Sequence, residues 1–438
     1  MTPSGSNLVA ALHGEPLFEQ RGRIVSALGT TLTVRGISGR IGDSCRIVSP
    51  SGEHLLWAEI IGLHGEDIIL TPLGELRGIA PDSEVVLRSG RAEIPCGDDL
   101  LGRVFDARMQ PIDGLGPVAQ DHLRPLNGEA PNPLDRAPIS QPMESGIRTI
   151  DGLMTIGTGQ RIGVFASAGC GKSTLMGLLA RQAKADAIVI ALVGERGREV
   201  REFIEDVLGE EGLSRSVIIA ATSDRPAMER VRAARVATSI AEGMRDQGKN
   251  VLLLMDSVTR YARALREVGL SAGEPAVRRG FPPSVFADLP RLFERAGVAA
   301  KGSITGIYTV LLEEEDGDPI GEEVRSLLDG HITLSRQLAA RGHYPAIDIL
   351  DSLSRLFTRL ASPEQQKSAA LVRAMQQKLR DTELLIQMGD YEPGRDHMAD
   401  RAIDNREAMD AYLRQESGEI SSMAQSIARL RAFGDDGL

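Results

Sequence analysis

The sequence predicts a parallel α/β sheet covered by helices on both faces, with a small β-barrel before it and a helical domain after it. Three observations carry that expectation. The first ninety or so residues form short alternating segments broken by turn signals. From about residue 160 to 311, strand-sized apolar runs alternate with helical stretches. Beyond about Ser362 the strand signal disappears. The 438 residues suffice for two or three domains, expected at 1–92, 93–361 and 362–438.

In the first domain, Ile24-Val25-Ser26-Ala27-Leu28 and Thr31-Leu32-Thr33-Val34 flank Gly29-Thr30 and read as a hairpin. Cys45-Arg46-Ile47-Val48, Trp57-Ala58-Glu59-Ile60-Ile61 and Asp67-Ile68-Ile69-Leu70 repeat the pattern, which suggests a closed or nearly closed barrel. Residues 101–142 gather prolines at 111, 117, 125, 131, 133, 138 and 142. They read as an extended connection, because proline removes a backbone donor and excludes helix and central strand alike. The expected core strands are 161–166, 187–193, 217–221, 251–255 and 304–311, with helices including 173–183 and 225–246. In the tail, Leu371, Ala374, Met375 and Leu379 share one helical face, as do Ile420, Met423, Ala424, Ile427 and Ala428, which reads as a small helical domain.

Composition narrows the function. Fifty Lys and Arg against 61 Asp and Glu give a net charge of -11, and aromatics are 3% with one tryptophan, so broad nucleic-acid binding is not expected. The three cysteines offer no disulfide framework and fit a reducing cytoplasm. No membrane-spanning run and no signal peptide are read in the sequence.

The strongest chemical signal is Ala166-Ser167-Ala168-Gly169-Cys170-Gly171-Lys172-Ser173-Thr174, between an expected strand and an expected helix. That is the setting of a phosphate-binding loop, so the core is read as an α/β P-loop NTPase. Gly169 and Gly171 let backbone N–H groups turn onto phosphates, Lys172 brings a charge to the β- and γ-phosphates, and the Ser173 hydroxyl is placed for Mg²⁺. Ala166 stands where the pattern has its first glycine, which is tolerable if that residue keeps a negative φ. Cys170 reads as a small filler of the loop. The apolar run Val251-Leu252-Leu253-Leu254-Met255 delivers Asp256 at a strand end, where a Mg²⁺-side acid belongs. Glu195, after the strand 187–193, is placed at the same end of the sheet and could orient the attacking water, or be one charge of a solvated loop. The stretch 344–355 reads as a turn, a short apolar run and one arginine.

Together these motifs resemble the family of rotary ATP synthase catalytic subunits and type III secretion ATPases. Pro345-Ala346-Ile347-Asp348 with Ser352-Leu353-Ser354 matches that family's signature, and the phosphate loop, the run 194–202, Asp256-Ser257-Val258-Thr259-Arg260, Ala272-Gly273-Glu274-Pro275 and Leu328-Asp329-Gly330-His331-Ile332 are most similar to its secretion branch, injectisome or flagellar. The resemblance implies ATP and Mg²⁺ as ligands. Ala168, Gly169, Cys170, Gly171, Lys172, Ser173 and Thr174 would hold phosphates, with Ser173 and Asp256 on the metal side. It implies Glu195 as the catalytic carboxylate, Arg196 as the arginine positioning it and the γ-phosphate, and Tyr344 as a ring stacked on adenine. Arg355 falls at the arginine finger that completes a neighbouring subunit's site, which requires a ring. The implied protein is a homohexameric, cytoplasmic ATPase peripheral to the inner-membrane export gate. Its implied partners are a stator-type regulator, a coiled-coil central stalk, secretion chaperones and their export substrates, with no nucleic acid. The acidic stretch 313–318 is expected either to face that stalk or to be a solvated loop. A synthase catalytic subunit and, further off, a ring-shaped RNA translocase are the competing readings.

Overall fold

The computed structural model describes residues 19–88, 92–119, 122–312 and 318–435. Strands β1 (Arg21–Leu28), β2 (Thr31–Arg35), β3 (Ser44–Val48), β4 (His54–His64), β5 (Asp67–Leu73) and β6 (Glu84–Leu87) close into an antiparallel barrel in the order β1-β2-β5-β4-β3-β6. Alternation does the sorting: Leu32, Val34, Cys45, Ile47, Ala58, Ile60, Leu70 and Val85 all point inward and are fully buried. Gly29, at a φ of 59°, makes the first hairpin turn. The four-residue β6 pairs with both β1 and β3 and completes the closure. It is too short for its alternation to stand out in the sequence.

The proline-rich connection does contain strand. β7 (Glu93–Pro95) and β9 (Leu123–Pro125) form a two-stranded ribbon, and β8 (Arg103–Phe105) joins the edge of the main sheet beside β12 (Ser216–Ala221). All three lie in a ribbon or at a sheet edge, which the expected extended connection without a central strand allows. Proline is compatible with a ribbon or an edge, and β8 itself contains none.

The remaining strands are β10 (Arg161–Ala166), β11 (Ala187–Val193), β13 (Asn250–Asp256), β14 (Gly297–Val298), β15 (Ser303–Leu311), β16 (Gly330–Leu334) and β17 (Ile347–Ser354). Their order, β17-β16-β10-β15-β13-β11-β12-β8, is parallel throughout except for β17, which runs antiparallel at one edge; β14 pairs antiparallel with β15 off this path. Every residue of β11 is buried, as a strand covered on both faces requires. Its odd and even positions serve different cores. Val189 and Ala191 pack with the helix Ala227–Asp246, while Ile188 and Ile190 pack with the helix Lys172–Gln182.

The tail folds as helices Pro363–Met388, His397–Asp404, Arg406–Leu413 and Met423–Asp435. Its packed faces match those expected in part: in the first helix Met375 is buried and Leu371 and Leu379 pack against the core. The first helix buries Gln365, Ser368, Ala369, Val372 and Met375 and leaves Ala374 exposed. Near the last, Ile420, Ala424 and Ala428 are exposed, and Ser426, Leu430 and Phe433 face inward. The apolar positions there are sparse enough to support two stripes, and tertiary packing selects the one that includes small polar residues. Among the described residues no helix is long and apolar enough to cross a membrane. Residues 313–317 of the acidic stretch lie outside the described residues; Asp318 caps the helix Pro319–Leu327 by accepting from the N–H groups of Ile320 and Gly321.

Candidate active site

The phosphate loop connects β10 to the helix Lys172–Gln182. Gly169 and Gly171 take φ of 81° and 83°, the left-handed conformation in which an L side chain is strained. Ala166 is still in strand register, opposite Leu311 on one side and Leu334 on the other, and is not among the residues with positive φ. The methyl group at that position therefore sits in ordinary strand backbone. Cys170 is 1% exposed and packs with the core under the loop, as a filler would.

Three parallel strands converge on Lys172. Its Nζ lies 2.5 Å from Asp256 Oδ1, at the end of β13, and 3.5 Å from Glu195 Oε1, just beyond β11. Asp256 Oδ1 also accepts a 2.7 Å hydrogen bond from Thr309 Oγ1 on β15. Burial works against the charged amine, but the two carboxylates more than offset it and hold the Lys172 pKa above the ordinary lysine value. Burial, then the neighbouring charge of Asp256, pushes the Glu195 carboxyl up to about 7, and it shares a hydrogen bond with Glu199. The cluster is thus a largely covered cation between two acids at the carboxyl end of the sheet, where open α/β folds bind ligands.

Arg196 is not part of this cluster. Its side chain is 72% exposed and pairs with Glu199 at 3.0 Å, so the expected contact with Glu195 is not made. Arg260 occupies that side instead: it packs against Gly194, where an added Cβ would meet its Cβ at 3.1 Å, and its charge acts on Glu195. Its Nε is buried without a hydrogen-bond partner, leaving a donor free within the site. In the sequence Arg260 stands only as the last residue of the motif 256–260 with no role of its own, because nothing in that stretch shows that the first turn of the helix Val258–Ser271 brings it to Glu195.

Beside the loop, Tyr344 lies against Gly171; an added methyl there would meet the ring at 3.0 Å. Tyr344, Gly171, Thr174 and Gln415 line a cavity of about 760 Å³, large enough for a nucleoside. Ser173 is exposed at the helix start. Among the described residues no group of three or more His, Cys, Asp or Glu side chains is placed to hold a metal alone. One hydroxyl and one carboxylate suit Mg²⁺, which keeps water and phosphate oxygens in most of its shell.

Arg355 is elsewhere. Ile347, at the start of β17, pairs with Leu334 next to the phosphate loop, and Ser354, at its end, pairs with Gly330. A register shift within the pair sets these eight residues opposite only five of β16, so the antiparallel course carries Arg355 back about five residue steps, roughly 17 Å, to the level of Arg161 at the opposite end of β10 from the phosphate loop of its own chain. Its backbone N–H donates to Asp329 O, and the side chain is exposed.

A barrel, a parallel sheet whose phosphate loop presents a lysine to two strand-end acids, and a helical tail define a nucleotide-hydrolysing subunit of the ATP synthase α/β class. The family models agree segment by segment. Residues 24–90 match the ATP synthase alpha/beta family beta-barrel domain, 146–354 its nucleotide-binding domain, and 361–432 the T3SS EscN ATPase C-terminal domain. A type 3 secretion system ATPase of Xanthomonas euvesicatoria is 49% identical over 416 residues, 95% of this chain and 94% of that one. A flagellum-specific ATP synthase of Pseudomonas aeruginosa is 46% identical over 434 residues, 98% of this chain and 96% of the relative. The assembled ATPase EscN of the enteropathogenic E. coli type III secretion system superimposes with a TM-score of 0.89 at 47% identity, covering 94% of this chain and 99% of EscN. EscN in complex with its central stalk EscO gives 0.87. The chain belongs to the type III secretion and flagellar export ATPases, and it is an ATP hydrolase.

Proposed function

We propose that this chain forms a homohexameric ring at the cytoplasmic face of an export apparatus, using ATP hydrolysis to release secretion chaperones and deliver unfolded substrates. Its partners would be a stator-type regulator, a coiled-coil central stalk, in the place that the central stalk EscO takes for EscN, and the export gate at the inner membrane. The helical tail distinguishes this reading from a synthase subunit, since its model is that of the secretion ATPases.

The observation that carries the mechanism is Lys172 bridging Asp256 and Glu195. An arriving triphosphate offers Lys172 stronger partners in the β- and γ-phosphates and frees both acids. Ser173 and Asp256 would then hold Mg²⁺, which when bound would neutralise charge on the phosphate oxygens. Glu195 orients and polarises the water that attacks the γ-phosphate, while the backbone N–H groups from Ala168 to Thr174 hold the remaining oxygens. Tyr344 stacks on the base. Arg355 is supplied by the neighbouring chain, which its distance from its own Lys172 supports. Arg196, exposed here, would reach the γ-phosphate only by leaving Glu199.

Steady-state phosphate release by Lys172→Ala tests the assignment. Turnover is expected to fall by more than a hundredfold, and a loss smaller than about tenfold, roughly 1.4 kcal/mol, removes the role given to Lys172. Mass spectrometry of what co-purifies with Glu195→Gln tests the setting: stator, stalk and chaperones support it, and synthase stalk subunits overturn it.

A further inference from the structure

Arg148 is the largest of the fully buried side chains, at 2% exposure. A buried guanidinium is costly unless its donors are satisfied, so where those donors go is informative. They all reach one stretch of the tail. Nε donates to Tyr412 O at 3.1 Å and Nη2 to Ala411 O at 3.4 Å and to Arg414 O, while Nη1 pairs with Glu419. The backbone N–H of Arg148 donates to Gln415 Oε1 at 2.9 Å.

Residues 414–422 lie between the helices Arg406–Leu413 and Met423–Asp435 and have no ladder of their own. Gln415 is their pivot. Its side-chain amide donates to Gly146 O at 2.7 Å, and its backbone N–H donates to Tyr344 O at 2.9 Å. Arg148, Gln415 and Glu419 line the same cavity as Tyr344 and Gly171. A chain of contacts therefore runs from Arg148 through Gln415 to the main chain of Tyr344, whose ring covers the loop at Gly171. None of these contacts touches Lys172, Asp256 or Glu195.

We propose that Arg148 is a positioning residue for the base-side wall of the nucleotide pocket, clamping residues 411–419 of the helical domain so that Tyr344 is held over the phosphate loop. This rests on the reading of that cavity as the base site. Affinity for the nucleoside half of ATP then depends on Arg148, and recognition of the phosphates does not.

The test uses full-length protein, with KM and kcat for ATP and the competitive inhibition constant of Mg-tripolyphosphate, which has no base. Arg148→Met is expected to raise KM for ATP at least tenfold, with kcat and the tripolyphosphate constant within twofold of wild type. A general loosening of the structure would move all three. Should Arg148→Met not fold, Glu419→Gln decides, because it removes one partner from a half-exposed position; it is expected to raise KM about threefold by the same pattern. An unchanged KM in Glu419→Gln and in folded Arg148→Met, or a parallel rise in the tripolyphosphate constant, overturns the proposal. Tyr344→Ala separates the two failures. If it raises KM while the clamp variants do not, the base site stands and the role of Arg148 falls; if it leaves KM unchanged, the base-site reading falls and takes the proposal with it.

Discussion

Ala166 shows what a single position in a phosphate loop requires. Glycine is the usual opening residue, yet here the chain is still in β10 and the hydrogen-bonded register needs no special φ. Ala166→Gly is therefore expected to leave turnover unchanged and to lower stability by about 0.5–1 kcal/mol in urea denaturation, the entropic cost of glycine within a strand. Gly171 is the opposite case. Positive φ and the Tyr344 ring at 3.0 Å both exclude a side chain, so Gly171→Ala is expected to destabilise the loop and to cut turnover more than tenfold in the same assays. The site was legible in the sequence where residue type and context coincide, as at Lys172 and at Asp256. It was not legible where a side chain has two destinations. Nothing in the order Glu195-Arg196 says that Arg196 turns outward to Glu199 while Arg260, sixty-odd residues on, takes the inner side.

Elements differed in how plainly they announced themselves. β11 and β13 are unbroken apolar runs because helices cover both faces, and that burial is what their sequence records. Leu254→Ala, on β13 at 0% exposure, is expected to cost about 2–5 kcal/mol in chemical denaturation, since such a site cannot collapse around the cavity. β6, β8 and β16 are three to five residues long, too short for periodicity to register, and β17 carries Asp348 and Asp351 at its exposed edge. The helix Arg148–Leu153 adds a pH dependence. Burial pushes the Asp151 carboxyl up to about 7, despite hydrogen bonds from Ser145 and Gly146. A raised carboxyl favours the folded state while protonated and loses that contribution as pH rises from about 4 through 7, at no more than about 1.4 kcal/mol per pH unit. Stability should therefore fall between pH 5 and pH 8 in wild type, and Asp151→Asn should make the fall smaller while leaving the part that Glu195, raised in the same way, contributes.

For the whole molecule, the three-part architecture follows from the succession of patterns along the chain, but the contacts that join the parts do not. Arg148 and Gln415 are 267 residues apart in sequence, and their hydrogen bond exists only once the tail has folded back on the core. Assembly gives the remaining prediction. Chains carrying Arg355→Ala and chains carrying Lys172→Ala are each expected to be inactive, and mixing them should restore part of the turnover where an intact loop meets an intact arginine from its neighbour. No recovery at any mixing ratio would remove the trans role of Arg355. The reversed course of β17 also has an economic side for a cell. Because it places Arg355 far from the Lys172 of the same chain, a lone copy would be an idle machine. Fuel would be burned only where copies gather, so newly made or surplus subunits would circulate without draining the nucleotide pool, and a simple dilution series should show specific activity vanishing faster than protein concentration.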